Sequence, residues 1–411
     1  MPLFSIPLSG LQASSEALSI ISNNLANINT DSYKDQNVSF KDLFYQSMGT
    51  NGAGDPMQVG NGAAVASITS SFNNGSLNNT GVPTNMAISG DGFFVTQKAG
   101  TQQYTRDGNF TVNQSGQLVT QDGAMVLGYP AVNGVISANA VLGPLSLSQG
   151  ASNPASATGS FSLDTNLDAR SNVSDSFSTP LTIYDSLGNS HTLTFQFTKT
   201  GTGGWDYKVT LPGADTGNAN DTTVTTGSLT FDANGNLSSP NQNITGISIS
   251  GLVDGAATLN LTWDLFGAGG SSLLTQVAAT STTSQTNQDG YPVGTLQNFS
   301  VDASGIVEGT FSNGQSRQLG QVALADFSND QGLKLGGGNN YTSTLASGDA
   351  VVGAPGTGGR GTITGGALEL SNVDVATEFA KMIVAQRGYE ANAKVVTAFD
   401  QVAQDTIALK Q

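Results

Sequence analysis

Helix-type sequence closes this chain at both ends, and the long stretch between has a different character. Residues 8–28 and 375–410 carry apolar side chains at helical spacing with almost no Gly or Pro. The middle is rich in Gly, Thr, Ser and Asn and reads as short β-strands joined by turns. Helices that find no mate in the middle of their own chain point to completion by further copies. A polymer subunit is therefore the first expectation, and an enzyme a distant second.

Phe4, Leu8, Leu11, Leu18, Leu25 and Ile28 recur mostly three, four or seven apart, as does Ile21. This is a helical stripe with coiled-coil-like spacing. Pro2 and Pro7 confine regular helix to about residue 8 onward unless Pro7 falls in a first turn. Near the other end Val375, Phe379, Met382, Tyr389, Ala393, Val396, Phe399, Ala403 and Ile407 form a second stripe. Ser371 and Asp374 are placed to cap that helix, with Glu378 in its first turns. The two stripes match in spacing and are expected to pair. An isolated pair would still expose apolar surface, so the helices are expected to need assembly for full order.

Composition supports a β body. Of 30 acids, 25 are Asp and 5 are Glu; Asp belongs in turns and Glu on helix faces. The net charge is −16, and residues 46–369 hold 21 acids against 8 bases, or −13 of it. An acidic body repels nucleic acid and anionic lipid, so neither is an expected partner. There is no cysteine, hence no disulfide framework and no thiolate metal site. No run approaches the ~20 apolar residues of a spanning helix, so no membrane insertion is expected, and no conventional secretory signal opens the chain.

The strand pattern is clearest at Leu193, Phe195, Phe197; at Trp205, Tyr207, Val209, Leu211; and at Leu261, Trp263, Leu265. VNQSGQL (112–118), FDANGNL (231–237) and VDASGIV (301–307) read as hairpin loops. Polar runs near 148–160 and 280–290 suggest that 151–282 is an outer β domain inserted into another made of 71–150 and 283–368. The remaining divisions are an N-terminal helix (1–30), a connecting segment (31–70) with an apolar-aromatic knot of Tyr33, Phe40, Leu43, Phe44 and Tyr45, and a C-terminal helix (369–411). The fold class is thus mainly β with helical termini.

Catalytic and cofactor motifs are missing. His191, the single histidine, opens an alternating strand and reads as a surface residue; no GxSxG surrounds a serine. FDANGNL begins like a calcium loop but lacks Gly at the sixth position and Glu at the twelfth. The Gly-rich runs 336–341 and 356–366 lack the Gly-Lys-Ser/Thr of a phosphate loop. No catalytic residue, metal site or cofactor is expected.

Three segments carry a resemblance. SNNLANINTDSYK (22–34), SGDGFF (89–94) and GALELSNVDVATEFAKMIVAQRGYEANAK (366–394) are similar to the signature segments of the flagellar rod and hook family of axial proteins. TSSFNNGSLNNTGVPTNMAISGDGFF (69–94) resembles that family's entry into its first β domain. The length and the insertion at 151–282 resemble hook members rather than the shorter rod members.

The resemblance implies a non-enzymatic subunit of a helical homopolymer: a curved tube that works as a universal joint between motor and filament. The terminal helices would pair as a coiled coil lining the inner tube. By matching position, Leu11, Leu18, Leu25, Phe379, Met382, Ile383, Val396 and Phe399 would form its packing, and Asn24, Asn27, Gln386, Arg387 and Asn392 its polar contacts. Implied partners are further copies of the chain, the distal rod, hook cap and hook–filament junction proteins, and the flagellar type III export apparatus, which would deliver the protein outside the cell. FSIPL (Phe4 to Leu8) and FKDLF (Phe40 to Phe44) resemble the Phe-x-x-x-hydrophobic pattern attributed to export recognition. Two positions depart from the family: Ser32 stands where Gly is common, and Pro7 lies early in the first helix. A distal rod or junction protein is the near alternative, and a secreted β-rich hydrolase or adhesin the distant one.

Overall fold

The computed structural model describes residues 5–137, 140–148 and 151–409. Helix α1 spans Ser5–Ala26, a one-turn helix α2 spans Gly213–Thr216, and helix α3 spans Val375–Ala408. Nearly all remaining regular structure is β. Pro7 falls in the first turn of α1, where a missing N–H breaks no helical hydrogen bond. The helix therefore begins earlier than residue 8. Among the described residues no helix is long and apolar enough to cross a membrane.

The chain forms two compact units. The first takes the chain up to Ser148, Phe299–Gly309, and everything from Arg317; the second takes the rest. In the first, strand Phe93–Lys98 pairs with Thr101–Thr105 and with Met125–Pro130. Side chains alternate across a strand, so this one feeds two cores. Phe94 packs with Met86, Phe110, Leu118 and Val322, while Phe93 and Val95 pack with Tyr104, Phe327 and Tyr341. Phe93 meets Phe327 and Tyr341 edge-on, with ring centroids 5.8 and 5.4 Å apart.

The 31–70 segment is not a knot. Strand β1 (Gln36–Asp42) pairs antiparallel with β4 (Ala63–Ser70), and β2 (Gln46–Thr50) with β3 (Pro56–Val59), making a two-tier hairpin arm. Phe40, Phe44 and Tyr45 are exposed on it. Burial falls off along the arm: Gln36–Val38 are half-buried, whereas Ser39–Asp42 are exposed.

In the second unit, strands Ser176–Tyr184, Ser190–Gly201, Gly204–Leu211, Thr222–Phe231 and Leu237–Ser239 form an up-and-down antiparallel sheet. The alternating residues expected to face inward do so: Leu193, Phe195, Phe197, Trp205, Tyr207, Val209 and Leu211 are buried. They share one core with strands Ser160–Asn166 and Leu259–Asp264, where Trp263 lies 5.1 Å from Phe195 and 5.2 Å from Tyr207.

The three turn motifs share one device. Asn113, Asp232 and Asp302 each accept, on one side-chain oxygen, the backbone N–H groups two and four residues on. Gly116, Gly235 and Gly305 supply the positive φ that follows. A fourth copy, Asp185 to Asn189 with Gly188 at φ 89°, leads into His191. His191 itself is buried rather than on the surface.

Candidate assembly site at the terminal helices

Helices α1 and α3 pack antiparallel. Asn24 bonds Glu378, Ser14 lies beside Gly388, and Gly10 lies under the side chain of Asn392. Asp374 caps α3, its Oδ1 accepting the Thr377 N–H at 2.7 Å. Hydrogen bonds from the Thr377 side chain and then from its backbone N–H hold the Asp374 carboxyl below the usual carboxylate range. On α1 the buried line is Ala13, Ala17, Ile20, Ile21 and Asn24, one step round from the leucines of the sequence stripe. Small residues on that line let α3 and the arm approach closely.

Leu11, Leu18 and Leu25 are half-buried, as are Met382, Val396, Phe399 and Asn392. Phe379 (49% accessible), Ile383 (58%) and Val384 (72%) stand on the open side of α3. Within one chain, then, Phe379 and Ile383 are not packing residues. Between α1, α3 and β1 runs a groove of about 620 Å³, lined by Ile20, Ile21, Val38, Phe40, Val384 and Ala385 among others.

The polar residues divide in the same way. Asn24 is fully buried and saturated: its amide donates to Gln36 O (2.9 Å) and Glu378 Oε2 (3.1 Å), and its oxygen accepts from Gln36 N (3.0 Å) and Tyr33 Oη (3.1 Å). Asn27 serves its own turn, bonding Asn23 O and Thr30. Asn392 bonds Gly388 O one turn back, Arg387 pairs with Glu390 on the outside, and Gln386 is exposed. Asn27, Gln386 and Arg387 are thus not brought to the α1–α3 contact of a single chain. Of the residues resembling an export pattern, Leu8, Phe40 and Phe44 are exposed, and Phe4 lies outside the described residues.

Below the helices sits a buried ionic cluster that sequence reading missed. Lys34 Nζ lies 2.6 Å from Glu369 Oε1, and Arg106 Nε 3.8 Å from Glu369 Oε2, all three side chains being almost wholly buried. Burial and the Arg106 charge push the Lys34 amine down, against the pull of Glu369. Arg106 also donates to the carbonyls of Gly90 and Gly92, at 2.8 Å each, and to Asn74. Gly90 (φ 108°) and Gly92 (φ 116°) adopt backbone that presents those carbonyls, which accounts for the SGDGFF segment. Asn372 closes the arrangement, accepting from Asp35 N and donating to Ser71 O and Asn73 O.

Ser32 takes the left-handed conformation expected of a glycine there (φ 56°). Its hydroxyl donates to Arg106 O at 2.9 Å, which offsets the strain. Lys34 and Glu369 lie inside the quoted terminal segments, and that proximity to the motifs is the one signal that could have drawn attention to them.

The site is a buried polar base carrying two helices with uncovered apolar sides. Comparison with known proteins agrees. Residues 6–34 match the family of flagella basal body rod proteins, and 87–153 the D1 domain of flagellar hook proteins FlgE/F/G. Residues 146–291 match the flagellar basal body protein FlaE D2 domain, and 364–409 the C-terminal region of basal body rod FlgEFG proteins. The chain is 34% identical to the flagellar hook protein FlgE of Escherichia coli, over 99% of this chain and all of that one. It is 35% identical to the FlgE of Salmonella typhimurium with the same coverage, and 32% identical to that of Treponema pallidum over 98% of each. Identity of this order along the whole chain, together with the four domain matches, shows that it belongs to the flagellar hook protein family.

Proposed function

We propose that this chain is the structural subunit that polymerises into the curved tubular hook of the bacterial flagellum, a universal joint carrying motor torque to the filament, and that it catalyses no reaction. The observation that carries this reading is the state of the terminal helices. Their base is held by a buried polar network, while apolar side chains along α3 remain uncovered. A stripe of that kind is stable in water chiefly when another surface covers it. Neighbouring copies would do so, with Leu11, Leu18, Leu25, Phe379, Met382, Ile383, Val396 and Phe399 in the inner packing of the tube and Asn27, Gln386, Arg387 and Asn392 at polar contacts between copies.

In this reading the β domains, 71–150 with 283–368 and the insertion 151–282, stack outside the inner tube. Their low charge favours sliding between neighbours, since few salt bridges would hold one register. The distal rod protein, the hook cap and the hook–filament junction protein are end partners. The type III apparatus exports the subunit to the cell exterior, reading FSIPL or FKDLF. The match of 146–291 to a D2 domain supports a hook rather than a rod subunit, because that segment is the insertion shorter rod members lack.

Replacing Leu18 and Phe399 together with polar residues tests the reading. Sedimentation of the native chain should show concentration-dependent assembly with helicity rising as it proceeds. The double variant should remain monomeric while the thermal transition of the β units stays in place. Assembly of the double variant to the native extent would count against it.

A further inference from the structure

His191 is the single histidine of the chain, and it is 6% accessible. It faces three aspartates from separate segments of the second unit. Asp185 follows strand Ser176–Tyr184, Asp215 lies in α2, and Asp254 lies in the loop before strand Leu259–Asp264. Nε2 is 3.3 Å from Asp185 Oδ2 and 3.5 Å from Asp254 Oδ2, while Nδ1, on the other edge of the ring, is 3.1 Å from Asp215 Oδ2. Nδ1 has no aligned hydrogen bond at that distance.

Asp185 is held by the turn device described above. Its Oδ1 accepts the Leu187 and Asn189 N–H groups at 2.8 and 2.9 Å, which turns Oδ2 toward the histidine. The Asn189 amide reaches both Asp185 Oδ2 (3.4 Å) and Asp254 Oδ2 (3.1 Å). The fully buried Asp185 carboxyl therefore sits beside that of Asp254. Among the described residues, the ion pairs of all three aspartates go to His191 alone. Nε2 thus faces two carboxyl oxygens from different segments. Three ligand-type atoms from separate segments converge there, an arrangement that one cation between them would satisfy.

We propose that Asp185, His191 and Asp254 form a binding site for one divalent transition-metal ion of the zinc class. The three ligand atoms lie within 4.8 Å of one another. Metal–ligand bonds of about 2.0–2.2 Å give a tetrahedron with edges of about 3.3–3.6 Å, and the two measured Nε2–oxygen separations fit such edges. The imidazole ligand selects against calcium and magnesium, which take oxygen. Asp215 is a positioning residue: its carboxyl, 3.1 Å from the far nitrogen, is placed to draw the ring proton there when Nε2 takes the ion. The Asp254 side chain is 23% accessible, which gives an ion a way in and leaves room for a water ligand. A metal here would staple the hairpin of residues 176–201 to the Asp254 loop within the second unit.

The test is calorimetric titration of zinc chloride into the full chain stripped with chelator, with the imidazole resonance followed by NMR. Since the chain has one histidine and no cysteine, that resonance reports this site alone. Saturable binding of one ion per chain is expected, with the imidazole signal shifting under zinc and not under magnesium. Asp254→Asn should weaken binding at least tenfold, His191→Asn should abolish it, and Asp215→Asn should weaken it roughly tenfold through lost orientation. Asp254→Asn alters an accessible side chain, so it keeps the test valid if His191→Asn misfolds. Absence of saturable binding at millimolar zinc would overturn the proposal, as would zinc that binds without moving the imidazole signal or binds Asp254→Asn as tightly as the native chain.

Discussion

At the scale of single residues, the molecule concentrates its costly choices where the two termini meet. Glu369 is the shared anionic partner of Lys34 and Arg106, all three side chains being almost wholly buried. Removing it strands two buried cations, so Glu369→Gln should destabilise the first unit by roughly 3–5 kcal/mol in urea unfolding; a loss of less than about 1 kcal/mol would show that water reaches the cluster. Tyr341 gives a pH test of the neighbouring core. Burial pushes its phenol up to about 12 from 10.0. The folded state thus keeps a proton that the unfolded chain releases, and the contribution is complete below pH 10 and lost as pH rises toward 12. Unfolding measured on both sides of that window should show Tyr341→Phe abolishing a fall of roughly 2–3 kcal/mol. An equal alkaline fall in the variant would contradict the assignment. These residues were poorly legible in advance. Asn24 stands out within its motif, but the burial of Lys34, Arg106 and Glu369 depends on strands far apart in sequence, and His191 opens an alternating strand like any surface residue.

At the scale of elements, period carried the reading well. Alternation identified the buried residues of the strands through Leu193 and Trp205, and the Asx-plus-glycine turns followed from residue chemistry. Helix α3 and its cap at Asp374 were equally plain. Asp374→Ala removes the one side-chain acceptor for the Thr377 N–H and should cost about 1 kcal/mol, read as earlier loss of helicity on heating with the β transition unmoved. An unchanged helical melt would mean that packing, not the cap, sets the start of α3. Period was less informative about which side of α1 is buried. The leucines mark one stripe, yet Ala13 and Ala17 line the buried one, because close approach of α3 and the arm favours small side chains there. The arm was not legible as an arm: its aromatics read as a knot, since nothing local says that the ribbon becomes exposed beyond Val38.

At the scale of the whole molecule, acids outnumber bases most heavily in the β middle, and apolar surface is left uncovered at the helical ends. An acidic, mostly uncharged body resists non-specific association, whereas the ends invite a specific one. The central claim is that the terminal helices drive assembly and the β units do not. Electron microscopy of the purified chain beside one lacking residues 375–411 tests it most directly. The account predicts curved tubes from the complete chain and soluble, folded, unassembled protein from the truncated one. Tubes formed by the truncated chain would contradict it.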